Sequence, residues 1–176
     1  MLNRSFVVVC LTFASLAFSR AAVGDALPSV QGCMNAWVSN ATWAVRVTKV
    51  QNLADRFDVW VEYRNDTAKT LRLLQNPDGT IGLTGGFLGY RGDDPEDMLG
   101  EADTYRDYPA REGQSAADDP KQPLRPRAIF RRVVRFYYPD YWKAAQRTRK
   151  PILYSQANGT DNPAVTELHV KLTCTK

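Results

Sequence analysis

The sequence has little of what enzymes use most. It contains one histidine, His169, and three cysteines in 176 residues. A Ser-His-Asp or Cys-His site would have to use His169, and the local alternation puts that residue on the outer face of a strand, as an exposed surface histidine. A Cys/His zinc site lacks ligands. Gly82, Gly85, Gly86 and Gly89 have neither the lysine nor the strand-to-helix context of a phosphate-binding loop. Beyond the N-terminus no apolar run approaches the length of a membrane-crossing helix. No internal repeat and no low-complexity tract is evident. These absences argue against most enzyme classes, and no cofactor or metal is expected.

What is present begins with an export signal. Arg4 supplies a short positive region, Ser5 to Phe18 is apolar and uncharged, and small residues follow around Ala21. This is the layout of a secretory signal peptide over residues 1–21, with 22–176 as one domain. The rival reading, an uncleaved membrane anchor, suffers from the shortness of the run. Loss of Arg4 and Arg20 leaves 21 basic against 19 acidic residues, a net charge of +2. That is too small to argue for nucleic acid or an anionic membrane as partner. Cys10 leaves with the signal, so Cys33 and Cys174 remain as an even pair. In a secreted or periplasmic protein the default is one disulfide, and the chain-entropy model values so long a closure at about 4 to 5 kcal/mol. A lipoprotein anchored at Cys33 is disfavoured because Gln31 and the distant apolar run do not fit a lipobox.

The mature chain alternates with the period of strands. Trp43, Val45 and Val47 share one face; Phe57, Val59, Val61 and Tyr63 share another, with Trp60 an aromatic on the polar side, placed either under a loop or on a contact surface. The longest β-favouring run is Ala128 to Tyr138. Phe130, Val134, Phe136 and Tyr138 form its core face; Ile129, Arg131, Val133, Arg135 and Tyr137 form the other. Leu168, Val170, Leu172 and Cys174 point inward in the closing strand. Ala26 to Asn40 reads as an irregular lead-in with Met34 and Trp37 as apolar anchors. Thr70–Leu74 and Thr80–Thr84 read as a hairpin around Asn76-Pro77-Asp78-Gly79. Asp140 to Arg147 reads as a short helix capped by Asp140. About seven short strands without alternating helices indicate an all-β, antiparallel, immunoglobulin-like β-sandwich, with a closed barrel second.

Charge is distributed unevenly. Residues 91–120 hold ten Asp/Glu and three Lys/Arg; residues 121–150 hold ten Lys/Arg and one Asp. The first stretch belongs to a long, weakly ordered acidic loop over 91–123. Its carboxylates could bind calcium or serve a secreted hydrolase or carbohydrate-active enzyme, although so irregular a loop is a poor holder of fixed geometry. Arg91-Gly92-Asp93 within it is a tripeptide too short to carry weight. The second stretch contains Arg125, Arg127, Arg131, Arg132 and Arg135. Arg131, Arg135, Tyr137, Trp142 and Trp60 form a candidate binding face, cationic and aromatic, unless those charges are neutralised by the acidic loop. Asn40, Asn65 and Asn158 each head an Asn-X-Thr acceptor pattern.

Three segments resemble a family of small secreted immunoglobulin-like domains of mostly unassigned function that includes mycobacterial immunogenic antigens. They are Trp43 to Val50, Phe57 to Asn65 with its terminal Asn, and Leu124 to Phe136 with its Pro-led turn. The resemblance implies a fold and export and brings no catalytic residues. The expectation is an exported, non-enzymatic binding module whose partner is a protein or a cell-envelope component.

Overall fold

The computed structural model describes residues 29–72, 77, 79, 85–90, 98–100, 123–156 and 166–175. The leader, the acidic stretch apart from Met98–Gly100 and Pro123, the 80–84 half of the expected hairpin, and Asn158 lie outside the described residues.

The chain forms the expected β-sandwich. Its strands are β1 (Ser29–Met34), β2 (Val38–Ser39), β3 (Trp43–Asn52), β4 (Arg56–Asn65), β5 (Leu71–Arg72), β6 (Gly86–Gly89), β7 (Met98–Gly100), β8 (Pro123–Leu124), β9 (Ile129–Tyr137), β10 (Leu153–Gln156) and β11 (Glu167–Thr175), with one helical turn, α1 (Ala144–Arg147). One sheet runs β1-β11-β10-β6-β7, the other β2-β3-β4-β9, and β5 pairs with β8. All pairings are antiparallel except β1 with β11.

The alternation read from sequence becomes the core. Trp43, Val45, Val47, Phe57, Val59, Val61, Tyr63, Phe130, Val134 and Phe136 are buried on one sheet, against Leu88, Tyr154, Leu168 and Val170 on the other. Phe57, Tyr90, Tyr138 and Trp142 make an aromatic cluster at one end, with ring centres 5.2 to 6.0 Å apart. Their edge-on and tilted contacts are the arrangements aromatic quadrupoles favour.

Three expectations are corrected. Ser29–Met34 is a strand, not an irregular lead-in. It lacks strand-like alternation and forms because β11 supplies a parallel partner in register from Ser29↔Glu167 to Cys33↔Lys171. The described partner of β5 is Pro123–Leu124, far along the chain, while the expected hairpin partner lies outside the described residues. The cap of α1 is Lys143, whose N–H donates to Gln146 Oε1 at 2.8 Å, rather than Asp140. Arg132 does not join the outer cationic face. It is inward and 8% exposed, and its guanidinium lies 5.1 Å from the Tyr63 ring centre.

Arg132 opens a buried polar chain across the two sheets. Its Nη2 donates to the Tyr63 hydroxyl at 3.1 Å. The Tyr63 and Tyr154 hydroxyls are 2.8 Å apart, and each is 2.9 Å from Gln156 Oε1. Gln156 Nε2 donates to the Gly85 carbonyl at 2.8 Å. Buried polar groups are tolerated when they bond one another in such a chain. Gly86 beside it is forced by space: a Cβ there would stand 2.9 Å from the Tyr154 ring and hydroxyl.

Cys33 and Cys174 are joined, with Cα atoms 5.1 Å apart and a sequence separation of 141. The bridge pins β1 to β11.

Candidate binding face

The outward side of β4 reads Arg56, Asp58, Trp60, Glu62, Arg64 at every second residue, and Asp66 continues the series beyond the strand. Register sets what each meets. Glu62 lies between Arg46 of β3 and Arg131 of β9. Arg46 Nε donates to Glu62 Oε2 at 2.9 Å and Arg131 Nε to Oε1 at 3.0 Å. Asp58 Oδ1 accepts from Arg56 Nε at 3.3 Å and Arg135 Nε at 3.0 Å. Asp66 Oδ1 accepts from Arg64 Nε at 2.6 Å and Arg127 Nη1 at 2.9 Å, while Ser39 Oγ donates to Oδ2 at 2.6 Å. Each carboxylate is thus held between two arginines.

These arrangements move two carboxyls. Burial alone would raise Glu62, but hydrogen bonds from Arg46 and Arg131, with their charges, outweigh it and hold the group below the usual carboxylate range. Asp66 follows the same pattern: burial raises it, and the bonds from Arg64 and Ser39 with the charges of Arg64 and Arg127 lower it further than burial lifts it.

Aromatic rings sit among the cations. The guanidiniums of Arg46 and Arg64 lie 4.6 and 4.4 Å from the Trp37 ring centre, and Lys49 Nζ lies 4.5 Å from that of Trp60. These are cation–π distances. Trp37, expected as a core anchor, is therefore on the outer face.

The structure brings Arg131, Arg135, Tyr137 and Trp60 onto this one face. Tyr137 pairs across to Arg56, Arg135 to Asp58, and Arg131 to Glu62. The Arg131 side chain is 48% exposed and Tyr137 is 44% exposed. Trp142 is elsewhere: it is buried between Tyr90 and Tyr138. Trp37, Arg46, Lys49 and Arg64 also belong to this face, beyond the residues that the sequence singles out for it. The outward phase of Arg46 and Arg64 was legible; what was missing was the register that sets them beside Glu62 and Trp37.

Two of the three acceptor asparagines have structural work. Asn65 is fully buried. Its Nδ2 donates to the Lys69 and Leu124 carbonyls at 2.7 and 3.0 Å, and its Oδ1 accepts from the Thr67 N–H and hydroxyl at 2.9 and 2.7 Å. Its backbone is bonded to Ala128 O and Arg127 N. With both amide protons given away inside the fold, this side chain leaves no room for a glycan. Asn40 accepts from the Thr42 and Trp43 N–H groups and donates to Thr166 O.

The Asn65 turn interlocks with the turn Arg125-Pro126-Arg127-Ala128, closed by Ala128 N to Arg125 O at 3.0 Å. Arg127 occupies its third position at φ +63°, a conformation glycine takes without strain. The side chain glycine lacks is the one that reaches Asp66.

His169 lies on the outer side of β11 as expected, but it is largely covered rather than exposed. Its side chain is 12% exposed, and Nε2 is 2.7 Å from Glu167 Oε2. Among the described residues no three His, Cys, Asp or Glu side chains converge as a metal site, and no helix is long and apolar enough to cross a membrane. Set against family models, curated proteins and solved structures, the chain matches none.

Proposed function

We propose that this chain is an exported, non-enzymatic binding module that meets a protein or cell-envelope component through the outer face of β3, β4 and β9. The observation that carries this reading is the arginine–carboxylate–arginine pattern interleaved with Trp37, Trp60 and Tyr137. Side chains ordered before contact lose less entropy on binding, and arginine and aromatic residues supply most interface hot spots. The disulfide fits an oxidising compartment. The immunoglobulin-like resemblance belongs to the same reading, since such sandwiches commonly serve as recognition scaffolds.

The test is photocrosslinking in the native compartment from a probe at Val133, which is opposite Trp60 in the middle of the face, with a probe at Lys171 on the other sheet as control. A discrete adduct from Val133 alone is expected, and Arg131→Gln with Arg135→Gln should abolish it while the protein still unfolds cooperatively. An adduct unchanged in that double variant would overturn the proposed face.

A further inference from the structure

A second contact element lies at the end of the sandwich where β9 stops. Tyr141 and Trp142 are adjacent, yet Trp142 is 5% exposed and Tyr141 is 79% exposed. Trp142 plugs into Tyr90 and Tyr138 and so anchors the 139–150 segment to the core. The segment is then braced from several directions. Arg147 Nε donates to Trp142 O at 3.1 Å, Asn52 Nδ2 donates to Arg147 O at 3.0 Å, and Thr148 Oγ1 donates to Ala145 O at 2.8 Å. Trp142 N also closes a turn onto Pro139 O at 2.9 Å.

None of this bracing buries the helical turn: no residue of α1 is buried. The result is a hydrogen-bonded tip with an exposed aromatic ring on it. Tyr137 and Tyr141 are the two large apolar side chains exposed among the described residues, and both are at this end. Lys143 and Lys150 of the same segment are exposed, with Arg147 partly so; Asp140 is the acid within the segment.

We propose that this tip is a peripheral docking element for an anionic lipid surface. Tyrosine suits the headgroup layer, having an apolar body and a polar end, and exposed lysines of the same segment gain from the negative surface potential. An exposed tyrosine on an unburied, net-basic turn favours this occupant over a folded acidic protein, because a headgroup layer deforms around a single exposed ring whereas a protein needs a matching pit. The whole-chain charge says nothing of this, since it averages a local cluster against distant acids. The element is separate from the outer face of β4, so either can fail without the other.

The experiment is co-sedimentation of the purified, oxidised protein with phosphatidylcholine vesicles with and without phosphatidylglycerol. Binding is expected only to the anionic vesicles and should weaken as salt is raised. Lys143→Ala with Lys150→Ala should lower the partition coefficient about twenty-five-fold, since each lysine near such a surface contributes about a factor of five. Tyr141→Ser should lower it several-fold, and its exposure keeps folding intact, checked by an unchanged unfolding midpoint. Arg131→Gln with Arg135→Gln should leave it within twofold. Equal binding to neutral vesicles, no binding to either, or full binding by the Tyr141 and lysine variants would each overturn the proposal. Capture of poly-L-glutamate in place of vesicles would also overturn it, in favour of an acidic polypeptide.

Discussion

Replacing Asn65 with alanine should be among the most damaging single changes in this protein. The side chain is fully buried and makes four hydrogen bonds, two donated and two accepted. Lys69 and Thr67 sit near the surface, so water can replace part of what they lose, and each such bond is worth about 0.5 to 1.5 kcal/mol net. Leu124 is 5% exposed. Its carbonyl would be left bare, adding a desolvation penalty of about 1 to 3 kcal/mol. The sum is a loss of about 3 to 5 kcal/mol, a large share of an ordinary domain's stability. Asn65→Asp is the sharper comparison. It keeps both acceptors but turns the donors into a carboxylate facing two carbonyl oxygens. That carboxyl should titrate above its unfolded value, so this variant's deficit should shrink as pH falls towards the unfolded pKa of about 4 and reach its full size above the raised folded pKa. Urea denaturation followed by tryptophan fluorescence measures both. An Asn65→Ala midpoint within experimental error of the parent's at equal m-value would refute the reasoning, as would an Asn65→Asp deficit that grows on acidification.

Reduction of the Cys33–Cys174 bridge should remove up to about 5 kcal/mol, because the loop it closes spans 141 residues; an unchanged urea midpoint with reductant, or two free thiols by mass, would contradict it. Glu62 and Asp66 titrate below their ordinary values when folded, so the unfolded chain takes up protons first; their stabilisation is complete at neutral pH and is lost as pH falls below about 4. A Glu62→Gln variant should therefore be less stable than the parent at neutral pH and approach it in acid. Gly86→Ala should destabilise by about 1 to 3 kcal/mol, since the new methyl meets a Tyr154 ring whose hydroxyl is held by Tyr63 and Gln156; a neutral effect by calorimetry would mean the ring can swing aside.

Much of the sandwich is legible in residues of period two. Phe57, Val59, Val61 and Tyr63 are inward as read, because one buried face demands alternation. The cysteine pair follows from parity and compartment. What was not legible depends on partners distant in sequence. Ser29–Met34 has a glycine and no apolar rhythm, and only β11 makes it a strand. Arg132 breaks the apolar phase of β9 and would be placed outside by charge alone; Tyr63 and its ring make the inward position tolerable. For the candidate face, the outward phase of Arg131, Arg135 and Tyr137 is readable. The pairing of one carboxylate with two arginines was not, because it needs the β3-β4-β9 register. Trp142 was misplaced because neighbouring aromatics on a non-strand segment carry no periodicity to separate the buried one from Tyr141.

The disulfide also decides how the molecule would carry tension. β1 and β11 run side by side in the same direction, so a pull through the chain before Cys33 and after Cys174 would, without the bridge, shear these two strands along their length. With it, force crosses from one sulfur to the other and bypasses the intervening polypeptide, whose ends are 141 positions apart in sequence. Everything between Cys33 and Cys174, including the β4 face and the Tyr141 tip, hangs off that bypass. Pulled at both ends, the fold would keep its shape under loads that would shear open an unbridged sandwich.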